Sequence, residues 1–342
     1  MASHNCSRKM PMQLEYGELL SLLTVQEAKI QAYRNDFVSE EAWEILRRVW
    51  GDRVGEFLYG HSFVLIKPEA LARRCSQSVL SFLHKKRLVP VAMTQVSVDR
   101  NAAHLIWRFQ WNAATVDRVR LTNMVNAQSS SILVLVRDSD PGVIPASVKL
   151  WGMKGSAHAD RRNEQHLRTL LRMHNRMLGF VHTPDEPADL VRDLSILLGG
   201  PALVALMRDC AAAPTRPVVD LSASLCAEVR RIEAASLKNE IDPVGSMARL
   251  EDALCERSPG MRVLADAMQS HTKIPLDVVL DATGGGQAQF WDVLTVASEL
   301  IQHDRPGVKP LIDARAVGEV TSRWAEHGAV LKNALDESIH AF

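Results

Sequence analysis

The stretch Leu178–Leu198, LGFVHTPDEPADLVRDLSILL, places a histidine at the end of an apolar run and follows it at once with helix signals. Thr183 is the expected N-cap, Pro184 suits the first helical position, and Glu186 three residues after the cap completes a capping box. Leu190, Val191, Leu194, Leu197 and Leu198 then recur at helical spacing. On this reading His182 lies beside free backbone N–H groups and the positive end of a helix dipole, a place suited to phosphate. Asp193 falls near the third turn, so the fold decides whether its carboxylate reaches the imidazole. Taken alone, the same features also describe a histidine used for packing or turn geometry.

Working upstream, HSFVLIKPEALARRCSQSVLSFLHKKRLVPVAMTQVSV (61–98) holds a short apolar strand over Ser62 to Ile66, a break at Lys67-Pro68-Glu69, a helix over Ala70 to Lys85 and a second strand over Leu88 to Val98. Asn101 to Trp107 and Ala113 to Val125 are expected helices. SILVLV (131–136) is a continuous apolar strand, stopped by Asp138-Ser139-Asp140-Pro141-Gly142. Val143 to Ser156 is expected to be helical, ending at Gly152 or Gly155. The basic segment HADRRNEQHLRTLLRMHNR (158–176) follows, and Met177 to Val181 leads into His182. Strand, helix, strand, helices, strand is the order of an α/β or α+β domain.

At either end the chain reads as helix. LLSLLTVQEAKIQAY and SEEAWEILRRVWGDRVGEFL predict two amphipathic helices between Gly17 and Leu58, after a loose start. Beyond the Pro-containing AAAPTRPVV (211–219), helical runs are expected over 221–237, 245–254, 261–268, 290–302 and 314–340. The expected organisation is a helical extension (1–58), a central α+β domain (59–205) and a helical C-terminal domain (206–342).

Composition narrows the function classes. Of 342 residues 46% are hydrophobic and 23% charged, enough for a core of ordinary globular character. Lys plus Arg (40) equals Asp plus Glu (40), so no global field draws nucleic acid or anionic membrane, and any anion site must be local. No uncharged apolar run reaches membrane-spanning length, and the N-terminus lacks the apolar core of a signal peptide. Five widely spaced cysteines, without a CxxC pair, predict a reduced cytoplasmic protein.

Strand-IKPEA, helix, strand, helices, strand, basic loop, then His-xx-Asp and a helix together resemble nucleoside diphosphate kinase over about residues 60 to 200. The resemblance implies a ferredoxin-like α+β domain with an antiparallel sheet. It also implies a histidine that takes a phosphoryl group from ATP and passes it on, with Mg2+ on the outer phosphates. By position, Lys67 matches the family's phosphate-contacting lysine, with Pro68 kept and Glu69-Ala70 in place of Asp-Gly. His182 matches the phosphorylated histidine, Asp185 the aspartate three residues on, and Asp193 the orienting carboxylate, which in the family is glutamate. Trp107 replaces the tyrosine that packs on the histidine. Arg168 stands against a phosphate-binding arginine and Lys154 near a threonine, and Arg161 and Arg162 are further candidates. The family's Arg-Asn before the histidine becomes Leu178-Gly179, which removes a contact to the sugar, and FQWNAATVDRV (109–119) replaces its Phe-Phe segment.

The implied function is phosphotransfer through phospho-His182 to a nucleotide or another small-molecule acceptor, in a chain that could self-associate as the family does. The alternative is a non-catalytic nucleotide- or partner-binding module on the same fold. Three other patterns have simpler readings. Arg168, Arg172 and Arg176 at i, i+4, i+8 also suit a solvated helix face, and His158, His166 and His174 lack companion ligands for a metal. Asp281-Ala-Thr-Gly-Gly-Gly286 lacks the Lys-Ser/Thr of a P-loop and reads as a turn.

Overall fold

The computed structural model describes residues 15–213, 218–254, 259–284, 290–312 and 316–340. Four helices, α1 (Tyr16–Leu23), α2 (Glu27–Tyr33), α3 (Val38–Trp50) and α4 (Val54–Gly60), lead into strand β1 (His61–Ile66). Then come α5 (Pro68–Ala72), α6 (Ser76–Lys85), β2 (Leu88–Val96), α7 (Arg100–Ile106), α8 (Val116–Asn126) and β3 (Ser131–Asp138). The sequence closes the sheet through α9 (Ala146–Lys154), α10 (Leu167–Leu170) and β4 (Val181–His182), followed by α11 (Pro187–Leu197) and α12 (Gly200–Ala212). The C-terminal part is helical: α13 (Val218–Ala235), α14 (Pro243–Leu254), α15 (Pro259–Ser270), α16 (Leu276–Thr283), α17 (Phe290–Leu300) and α18 (Val317–His340). No described helix is long and apolar enough to cross a membrane.

The fold is α+β. Its four strands run in the order β2-β3-β1-β4, every neighbouring pair antiparallel, which is the ferredoxin-like arrangement. Period-2 alternation divides each strand between two cores. Phe63, Leu65, Leu133 and Leu135 face one core with α3, α11, α12 and α18, whereas Val64, Ile66, Ile132, Val134 and Val136 face another with α6, α14 and α17. Helices cover both faces, which is why ILVLV (132–136) is apolar at every position rather than at alternate ones.

Several local expectations are corrected. The helix after His182 starts three residues later than its cap signals suggest: Glu186 is the N-cap, Pro187 the first-turn proline, and the capping box joins Glu186 to Asp189. Pro187 is the physical reason, because a residue before proline is pushed out of the helical region, and Glu186 is extended (φ −142°, ψ 171°). His182 therefore precedes the helix by a four-residue turn and does not abut its free N–H groups. The N-terminal preface is four short helices, not two, interrupted at Thr24 and at Gly51, whose φ is +53°. The helix over 70–85 is split in two where Arg74 takes φ +61°. Phe180 at φ +58° confines the strand before the site to Val181–His182. Arg172 at φ +46° ends the single turn of α10, so Arg168, Arg172 and Arg176 do not share one helix face. Asp281 to Thr283 belong to α16, capped by Gly284 in the left-handed region, while Gly285 and Gly286 lie outside the described residues.

Candidate active site

The end of β4 and the second turn of α11 meet. His182 Nε2 lies 2.7 Å from Asp193 Oδ2, with side-chain exposures of 18% and 6%. In the neutral ring this pair makes Nε2 the donor and leaves the lone pair on Nδ1. Trp107, at the end of α7, stands edge-on to the imidazole (5.9 Å between centroids, 88°), and Phe63 of β1 packs on it at 6.1 Å. A carboxylate and two aromatic rings thus fix the ring plane and its tautomer.

Cations converge on the same cavity, about 380 Å³ in volume and lined by Lys67, Lys154, Arg161, Arg168, His182 and Asp185 among others. Lys67 is the extended residue between β1 and α5, and its backbone N–H donates to Phe180 O at 3.0 Å. Its ammonium pairs with buried Glu69 at 2.8 Å and lies 5.6 Å from the Trp107 ring centre. Glu69 in turn accepts from the Phe180 N–H at 3.1 Å, so its carboxylate ties the lysine to the residue that enters the strand carrying His182. Lys154 ends α9, pairs with Asp185 at 3.6 Å and donates to Thr183 O at 3.4 Å. Arg168 turns inward and donates to Gly155 O (3.0 Å) and Val181 O (3.3 Å). Arg161 is on the rim, and Arg162 spends its guanidinium on the carbonyls of Arg168 and Met173 and does not line the cavity.

Burial lowers the Lys154 ammonium to about 8 and the Arg168 guanidinium to about 10, each against the pull of Asp185. Lys154 is therefore cationic below pH about 8 and loses its proton as pH rises through that value. An anion bound beside it favours the charged form. Binding of an anion beside Lys154 is expected to take up more protons at pH 9 than at pH 7. Calorimetry in buffers of different ionisation enthalpy reads this directly, and Lys154→Ala should abolish the uptake.

Residues well before β1 and well after α12 complete the cavity, and the sequence reading missed them. Lys29 and Tyr33 of α2 line its floor. Lys29 is bound to Asp189 at 2.5 Å and Glu186 at 3.0 Å, and Tyr33 Oη donates to Asp189 Oδ1 at 2.7 Å. Burial works against charge on Lys29, but Asp189 and Glu186 outweigh it and hold the ammonium above its ordinary range. A sequence signal existed: Lys29 and Tyr33 are four apart and share a helix face. Asp304, Val308, Lys309, Pro310 and Ile312 from the C-terminal part line it as well. Among the described residues no three His, Cys, Asp or Glu side chains gather as a metal site, and His166 Nδ1 accepts from the Asn163 N–H at 3.0 Å. Cys75, Cys210 and Cys226 are free thiols.

Residues 60–201 match the family model described as nucleoside diphosphate kinase. The crystal structure of an NDP kinase from Pyrobaculum aerophilum is similar over 42% of this chain and 98% of its own, at 13% identity and a TM-score of 0.33. The search of curated proteins finds no match.

Proposed function

We propose that this chain, whose residues 60–201 match the nucleoside diphosphate kinase family model, is a phosphotransferase that carries the γ-phosphoryl of ATP on His182 to a nucleotide or another small-molecule acceptor. The observation that carries the reading is the 2.7 Å His182–Asp193 pair at the edge of a cavity lined by Lys67, Lys154 and Arg168. Nδ1 attacks the γ-phosphorus, the N–P bond forms as the P–O bond to ADP breaks, and the electron pair leaves on the β-phosphate. The ring becomes a phospho-imidazolium whose Nε2–H faces the Asp193 carboxylate, so the new positive charge has its counter-ion in place. Lys67, Lys154 and Arg168 face the charge gathered on the transferring group. The reverse of the same step delivers the phosphoryl to the acceptor.

Mg2+ usually keeps several waters and takes one or two carboxylates plus substrate phosphates. Asp185, partly exposed beside Lys154, is the carboxylate that would hold its water shell, and the ion would neutralise charge on the outer phosphates. Incubation with γ-labelled ATP tests the reading: a protein-bound label that is acid-labile and base-stable is the expected result, and an unlabelled protein at saturating ATP would contradict it. A non-catalytic nucleotide-binding role is the second reading. Gly179 favours it, since the resemblance puts a sugar-contacting asparagine there. ADP binding without any labelled protein would be its signature.

A further inference from the structure

Residues 302–312 run along the 109–118 segment as a ribbon. Arg305 N–H donates to Ala113 O at 2.8 Å and its Nε to Ala114 O at 3.0 Å; Leu311 N–H donates to Phe109 O at 3.0 Å, and Asn112 Nδ2 to Lys309 O at 2.8 Å. Both ends are fastened. Asp304 pairs with Arg118 and with Arg176, two cavity-lining guanidiniums, and Ile312 is buried in the core beneath. Between these anchors Val308 and Pro310 line the same cavity as Trp107 and Trp111, whose rings meet edge-on at 6.0 Å, with Lys67 5.6 Å from the first ring centre and Arg118 5.7 Å from the second. Val308 remains 42% exposed, an apolar side chain facing a polar, cationic pocket.

We infer that Val308 and Pro310 are specificity-determining residues, forming with Trp107 and Trp111 an apolar slot that takes the base of a nucleotide whose phosphates lie on Lys67, Lys154 and Arg168. Gly179 offers the sugar no side chain, and a Cβ there would meet only Arg168 Nη2, at 3.8 Å. The ribbon supplies a contact surface on the nucleoside side from a part of the chain beyond the matched domain. An aromatic-and-apolar slot holds a flat ring by stacking and desolvation, and contributes nothing to inorganic phosphates. The inference rests on the cavity's being a nucleotide site, as proposed above, but not on turnover.

The test compares ADP with pyrophosphate on the full chain by calorimetry, in wild type and in Val308→Ser/Pro310→Ser, a variant that leaves the charge unchanged. The expected result is that the Kd for ADP rises at least tenfold while that for pyrophosphate stays within twofold. Equal changes for both ligands, no change for ADP, or a wild type that binds ADP no more tightly than pyrophosphate would overturn it. A thermal melt of the variant separates loss of fold, which weakens both ligands together, from loss of the slot; if the variant melts early, Val308→Ser alone, at an exposed position, carries the same ADP-specific criterion. Failure of the phosphotransfer reading appears elsewhere, as an unlabelled wild type with this ADP-specific difference intact.

Discussion

Asp193→Asn is expected to slow phosphorylation of the protein by ATP by about 10²- to 10⁴-fold, and His182→Ala to abolish it. The asparagine keeps the size of the side chain and a hydrogen-bonding oxygen. It removes the charge that faces the imidazolium as the N–P bond forms, and an amide turned the other way would hold the wrong tautomer. Asp193 touches the ring at 2.7 Å and is 3.9 Å from the Arg192 guanidinium, which itself is bound to Asp36 at 2.9 Å. Its orientation is therefore set from α11 and from the N-terminal helices together. Because Asp193 acts on the ring and not on the phosphates, ADP affinity should stay within a few-fold of wild type in both variants. Single-turnover labelling and ADP calorimetry separate the two effects, and a parallel loss of both would contradict this division of roles.

Glu186→Ala is expected to destabilise the whole chain by about 3–5 kcal/mol, the range for breaking a buried ion pair on one side. Glu186 is completely buried and gathers the three parts of the molecule. It accepts from Thr24 Oγ1 (2.7 Å), the Val25 N–H (2.9 Å) and Gln26 Nε2 (2.6 Å) at the N-terminal side, and from Trp324 Nε1 of α18 (2.9 Å), besides its pair with Lys29. Burial alone would raise its carboxyl, but Lys29 and these donors hold it below the ordinary range. Its stabilising contribution is therefore present above the unfolded carboxylate pKa and is lost as pH falls through the lower folded value. Removing the carboxylate leaves the Lys29 ammonium with Asp189 alone and strands several buried donors. Urea unfolding followed by tryptophan fluorescence measures the loss. A change below about 1 kcal/mol, the size of one ordinary hydrogen bond, would show that the extensions are not tied through this residue.

Glu186 also marks the boundary of what the sequence could say. Its place in a T-P-D-E-P run reads as the fourth residue of a capping box opened by Thr183, and only the second proline, Pro187, discloses that the helix waits until after it. The strands were legible because their apolar runs are continuous and end at turn residues: β1 and β3 lie where FVLI and SILVLV stand. The resemblance to nucleoside diphosphate kinase singled out His182, Lys67 and Asp193, and the three line one cavity. What stayed hidden was tertiary. Nothing local in Asp304 to Ile312 indicates that it lies against Phe109 to Thr115, and Glu69 reads as a helix-start residue although its carboxylate holds Lys67. Arg168 and Arg162 look alike in a basic run, but Arg168 lies in α10 and reaches Gly155 O and Val181 O at the cavity, whereas Arg162 lies before α10 and is held on the carbonyls of Arg168 and Met173.

The position of the phosphoryl group on the ring tests the central claim most directly. With Nε2 bound to Asp193 at 2.7 Å, the nitrogen available to ATP is Nδ1. Phosphorus NMR of the ATP-treated protein, with the modified residue located by mass spectrometry, should show Nδ1-phosphohistidine at His182. A phosphoryl group on Nε2, on another residue, or on none would contradict the account.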